Sequence, residues 1–117
     1  MFVSFEVSVQ LVDALRPSVE LIEQHDRNLG DQLRRAATSV VLNLAEGQRS
    51  AKGNKQKHYA IAHGSANEVK AALDVAEAWG WITHRGPERE LVDRVLALLW
   101  KLTRSQAIAA PRNRARP

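Results

Sequence analysis

The sequence predicts an all-α protein, an antiparallel up-down bundle of four helices. Apolar residues recur at three- and four-residue spacing through most of the chain. Asn, Gly and Pro signals interrupt that rhythm at three places. Aromatic residues make up only 5% of the chain, which leaves a β-sandwich without its usual core material. At 117 residues the chain has the commonest size of one domain, about 100–150 residues. It can bury about two-thirds of its unfolded surface, enough to fold without staples. The bundle is expected over residues 1–106. Residues 107–117, rich in Ala, Pro and Arg, read as a disordered basic tail.

Helix one is expected from about Ser4 to Gln24, with Phe5, Val9, Val12, Leu15, Val19 and Ile22 facing inward. Pro17 lies inside it and withholds one backbone donor. A turn follows at His25 to Asn28, where Asn28 is the expected N-cap with Asp31 three residues on. Helix two, about Leu29 to Glu46, places Leu29, Leu33, Ala36, Ala37, Val40 and Leu44 on one face about 100° wide. Gly47 then stands where a C-terminal glycine cap belongs, and Gln48 to Gly53 read as a loop. Helix three, about Asn54 to Trp79, turns Tyr59, Ala62, Ala66, Val69, Leu73 and Ala76 inward and stops at Gly80. Helix four starts at Pro87, with Glu88 and Glu90 at its positive end, and runs to Thr103 or Ser105.

Helix four carries more apolar surface than one bundle hides. Its residues Leu91, Val92, Val95, Leu96, Leu98, Leu99, Trp100 and Leu102 sweep about 200° around the axis, against a usual stripe of about 100°. Leu42 projects from the polar side of helix two. Unburied apolar area of this kind marks a protein contact, so self-association is expected, with Leu42, Leu96 and Trp100 at the oligomer interface.

Charge is distributed in blocks rather than evenly. Residues 1–31 hold six acids and two bases; residues 32–57 hold Glu46 against Arg34, Arg35, Arg49, Lys52, Lys55 and Lys57. The next block is acidic again, and the last one is basic, ending in Arg112, Arg114 and Arg116. The block 32–57 is the candidate nucleic-acid-binding surface, through phosphate contacts. The plainer alternative is that these bases only pair with acids on neighbouring helices. No aromatic residues interleave the block, so base stacking is not expected.

Catalytic and metal chemistry find little support. The absence of cysteine removes disulfides, thiolate zinc sites and thiol nucleophiles, and fits a reducing cytoplasm. No signal peptide is read at the start, and the longest apolar run, Val95 to Trp100, is far short of a membrane span of about 20 residues. Di-iron bundles need Glu-x-x-His motifs, and none occurs. His58 and His63 lie about 140° apart around their helix. Neither a nucleophile elbow nor a phosphate loop is present. The chain is therefore expected to be no enzyme, with no catalytic residue, metal or cofactor.

The polar residues Gln32, Ser39, Asn43 and Glu46 form a stripe along helix two, and such a stripe beside a core needs partners. Ser65 and Glu68 on helix three are expected to supply them, with Gly64, Ser65 and Ala66 small enough to let a neighbouring helix approach closely. Here the run Gln32-Leu-Arg-Arg-Ala-Ala-Thr-Ser-Val-Val-Leu-Asn43-Leu-Ala-Glu46-Gly47 resembles the signature of the four-helix-bundle family of 23S rRNA intervening sequences. Ile61-Ala-His-Gly64-Ser65-Ala-Asn-Glu68 is similar to the same family's Ala-x-Gly-Ser-x-x-Glu element, and the likeness extends over about residues 5–105. The chain departs from the pattern in a shortened first turn and in its arginine tail.

The resemblance implies an up-down bundle assembled as a homopentamer. It also implies kinship with the accessory variability protein of diversity-generating retroelements, a basic pentamer that binds nucleic acid and a reverse transcriptase. It brings no catalytic residues; Asn43, Glu46, Gly47, Gly64, Ser65 and Glu68 come over as structural signature positions. Two functions remain open: a nucleic-acid accessory protein binding RNA or DNA, or an oligomeric scaffold for a protein partner. Neither involves a membrane.

Overall fold

The computed structural model describes residues 2–83 and 86–109, the last five as backbone only. It contains four helices, α1 (Val3–His25), α2 (Arg27–Arg49), α3 (Lys52–Ala78) and α4 (Pro87–Ala109), and no strand among the described residues. α1 packs on α2, α2 on α3, α3 on α4 and α4 back on α1, while the diagonal pairs barely touch. Leu11, Ile22, Leu33, Val40, Leu44, Val69, Leu73 and Leu99 fill the centre and are fully buried.

The expected inward residues of α2 and α3 are buried as read, apart from Leu29, which is half-buried. α1 is turned differently. Val9, expected inside, is 44% exposed and Phe5 is only half-buried. Their places are taken by Val7 and Leu11 together with Ser4, Ser8 and Ser18. Period counting passed over the serines because a buried hydroxyl is costly when unpaired. Two of them are paired: Ser8 Oγ donates to the Phe5 carbonyl at 2.6 Å, and Ser18 Oγ donates to Glu88 Oε2 on α4 at 2.8 Å. Pro17 does not interrupt α1. Pro17 and Asp13, whose carbonyl loses its donor to the proline, both lie on the exposed side.

The α1–α2 link is a single residue, Asp26. Its N–H donates to the Ile22 carbonyl and closes α1 at 2.7 Å. Its carboxylate accepts the Leu29 N–H at 3.0 Å and caps α2. The N-cap is thus Asp26, not Asn28, because a carboxylate two residues earlier already meets the positive end of the helix.

Gly47 is not a cap either. It lies inside α2, which runs on to Arg49, and the expected loop shrinks to Ser50 and Ala51. Ser50 closes the helix through its hydroxyl, which donates to the Glu46 carbonyl at 2.6 Å. The role of Gly47 is spatial: a Cβ there would sit 2.6 Å from Cε1 and 2.8 Å from Cδ1 of the buried Tyr59 ring. By contrast, Gly80 does what a terminal glycine does. With φ of 81° it lets its own N–H reach the Glu77 carbonyl and the Trp81 N–H reach the Ala76 carbonyl, both at 2.9 Å.

α4 starts at Pro87 as expected and continues to Ala109, so the first three residues of the expected tail are helical. Residues 84–85 and 110–117, the latter including the arginines of the expected tail, lie outside the described residues. Much of the broad apolar arc is absorbed by the bundle. Val92, Val95 and Leu99 are buried, and Leu91, Leu96, Leu98 and Leu102 pack half-buried against the core. Trp100 remains 52% exposed.

Gly47→Ala should destabilise the protein by about 1–3 kcal/mol in a denaturant titration, because overpacking against a buried ring outweighs a helix-propensity gain of up to about 1 kcal/mol. Gly53→Ala, which meets open space, should cost nothing. Burial also raises the Tyr59 phenol above its ordinary value of 10.0. The protonated phenol is favoured in the fold, so its contribution is full below pH 10.0 and is lost as pH climbs through the folded-state value. Tyr59 is the chain's one tyrosine. Its ultraviolet titration should fall above the free-tyrosine range, and Tyr59→Phe should lessen alkaline destabilisation.

Candidate nucleic-acid interface and the seam beside it

The polar seam between α2 and α3 is a short chain of hydrogen bonds. Ser39 and Ser65 hydroxyls lie 2.8 Å apart. Asn43 Nδ2 donates to the Ser39 carbonyl at 2.9 Å and to Ser39 Oγ at 3.2 Å. Asn43 Oδ1 lies 2.9 Å from His58 Nδ1, which donates if its proton is on that nitrogen. The helical repeat explains the cluster: Ser39 and Asn43 are one turn apart on α2, and α3 brings Ser65 and His58 opposite them.

Three expected members stay outside the seam, the exposed Gln32 among them. Glu46 is exposed, its carboxylate 3.8 Å from the Arg49 guanidinium, and Glu68 is exposed as well. Gly64 admits no neighbouring helix among the described residues: a Cβ there would meet nothing within 4 Å. Sequence reading missed His58 because it was weighed only as a metal ligand. The signal was its place on the second turn of α3, facing the last third of α2 across a two-residue link.

The basic block divides into two groups with different electrostatics. Arg34 pairs with Glu23 on α1 and lies 3.6 Å from Asp31; Arg35 Nε lies 3.0 Å from the other oxygen of Asp31. This group is compensated on the spot. About 21 Å further along α2, at 1.5 Å per residue, Arg49, Lys52, Lys55 and Lys57 gather where α2 gives way to α3. Glu46 is the acid beside them. Lys55 Nζ donates to the Gln48 carbonyl at 3.3 Å and ties across the break. Lys52 and Lys57 are exposed and make no ion pair among the described residues. The first turn of α3 contains no acid, and its N-cap, Ala51, has no capping side chain, so its N–H groups add positive field at the same corner.

An aromatic stack exists, but away from that corner. Trp81 stacks on His25 at the end of α1 (5.3 Å, 2°) and on Trp79 at the end of α3 (5.8 Å, 14°); Trp79 is 68% exposed. The neighbouring start of α4 is held to α3 by Arg89, which bonds Asp74 Oδ1 at 2.7 Å and Glu77 Oε1 at 2.6 Å. Burial pulls this guanidinium down, but the two hydrogen bonds and charges more than offset it, so its pKa is raised.

Among the described residues no group of three His, Cys, Asp or Glu could hold a metal ion, and no helix is long and apolar enough to cross a membrane. The family model described as 23S rRNA-intervening sequence protein matches residues 4–100. The chain belongs to that family. Neither a curated protein nor a solved structure matches it. The matched stretch takes in the whole seam and the α2–α3 corner, and stops just before Lys101 and Arg104.

Asn43→Leu should lower stability by about 1–3 kcal/mol, since it strips a partner from Ser39 and from His58 in one step. Glu46→Gln and Glu68→Gln should stay within about 0.5 kcal/mol. Urea unfolding followed by circular dichroism distinguishes the two classes.

Proposed function

We propose that this chain is a non-enzymatic accessory protein that assembles with copies of itself and binds the phosphate backbone of RNA or DNA. The observation that carries the reading is the cation group Arg49, Lys52, Lys55 and Lys57, which the chain leaves largely uncompensated at one corner. The family's tie to 23S rRNA in its name agrees with a nucleic-acid role. Backbone contacts without base reading suit the corner, because it holds cations and helix N–H groups while its rings are packed away, Tyr59 buried and Phe2 half-buried against it.

The up-down course of the helices is supported by the paired positions. Across α2 and α3, Gly47 meets Tyr59 and Ser39 meets Ser65; across α3 and α4, Lys70 meets Asp93 while Asp74 meets Arg89. In each case a step forward on one helix is a step back on the next, as in antiparallel neighbours. Self-association is supported by Leu42, 58% exposed on α2, and Trp100, 52% exposed on α4. They stand on diagonal helices, so one copy would present its α2 face to the α4 face of the next. Such a heterologous contact closes into a ring when the rotation allows; the number five rests on the family resemblance.

Fluorescence anisotropy with labelled RNA and DNA at low salt tests the binding, and light scattering tests the assembly. Binding should fall steeply with added salt, and Trp100→Glu should reduce the assembled mass without loss of helicity. Assembly without nucleic-acid binding would favour the alternative, a scaffold for protein partners. A monomer at micromolar concentration would remove the oligomeric part of the proposal.

A further inference from the structure

We infer that the bundle is electrically polarised along its length, and that nucleic-acid backbone binds at one pole only, formed by the α2–α3 corner and the last turns of α4. The inference rests on the backbone-binding reading above and narrows it: Arg34 and Arg35 take no part.

Placement follows from contacts along the helices. Phe2, ahead of α1, lies against Tyr59 with ring centroids 6.3 Å apart, which puts the start of α1 beside the α2–α3 corner. Ser18 meets Glu88, so α4 begins level with the later turns of α1 and runs back toward its start. Counting at 1.5 Å per residue, Lys101 and Arg104 come level with the first residues of α1. They therefore share an end with Arg49, Lys52, Lys55 and Lys57. Glu6 and Glu46 are the acids at this end, so six cations face two carboxylates. Arg104 is further held by its own helix, its guanidinium 4.5 Å above the Trp100 ring.

The other end has the opposite sign. Glu20, Glu23, Asp26 and Asp31 surround the α1–α2 turn, while Asp74, Glu77, Glu88 and Glu90 surround the α3–α4 connection. Arg34, Arg35 and Arg89 pair with carboxylates there. The exposed Trp79 ring also belongs to this end, where the acids repel phosphate. The Arg34 and Arg35 group is separated from Arg49 by about two Debye lengths at 0.1 M salt. At that ionic strength the two ends act independently, and only one attracts a polyanion.

The test compares two pairs of equal charge change in the full chain, Lys52→Gln with Lys57→Gln and Arg34→Gln with Arg35→Gln. Anisotropy is read with a fluorescein-labelled oligouridylate from about 50 to 200 mM salt, and circular dichroism confirms that each protein stays helical. The pole pair should weaken binding about tenfold or more at low salt and flatten the log–log salt slope by about 1.4, which is two single-strand contacts. The Arg34/Arg35 pair should stay within about twofold of the wild type. A third variant, Lys101→Gln with Arg104→Gln, should weaken binding as the first pair does. Equal losses from both ends, or a loss only with Arg34 and Arg35, overturn the polar arrangement while leaving backbone binding intact. No binding by the wild type at low salt overturns the underlying reading itself.

Discussion

The fold turns on the lock between α2 and α3, where two devices act side by side. At Gly47 the missing Cβ admits the Tyr59 ring, so the two helices close on each other at the corner. One to two turns away, the Ser39–Ser65 and Asn43–His58 pairs satisfy the polar groups that such closeness would otherwise strand. Small residues complete the approach: Ala36, Ala37, Ala62 and Ala66 are all buried. A polar seam of this kind sets register in a way that apolar packing alone does not, because a slip along the axis leaves each donor unpaired. α1 and α4 then dock against this pair, joined to each other through Ser18 and the buried Glu88.

The same lock bears on function. Only two residues, Ser50 and Ala51, separate α2 from α3, so Arg49, Lys52, Lys55 and Lys57 are held on helix ends rather than scattered through a mobile loop. Cations on a rigid corner present a standing field, and the proposed phosphate binding would cost them less conformational freedom than it would cost a loop. At the other end, arginines of the same sequence block are spent on Asp31 and Glu23. One block of sequence thus serves two purposes, tertiary pairing at one end and an open field at the other.

Much of this was legible in the sequence. Periodicity located all four helices, and the Gly80 and Pro87 signals stood at real boundaries because each acts through its own backbone chemistry. The rest depended on neighbours. Asn28 lost the cap to Asp26 because a better acceptor lay two residues earlier. Gly47 looked like a terminator since a missing side chain reads the same whether it serves φ or space; only the Tyr59 ring opposite decides. α1 was misturned because its apolar residues run on two faces, and serines with partners on other turns selected the buried one. In the basic block, charge could be counted but its compensation could not, because Glu23 lies on a different helix from Arg34.

Native-state hydrogen exchange tests the central claim, that the α2–α3 pair is the unit on which the rest is built. The account predicts the slowest amides around residues 36–44 of α2 and 62–69 of α3, with α1 and α4 exchanging through lower-energy openings. Slowest exchange in α1 and α4, with α2 and α3 opening first, would contradict it.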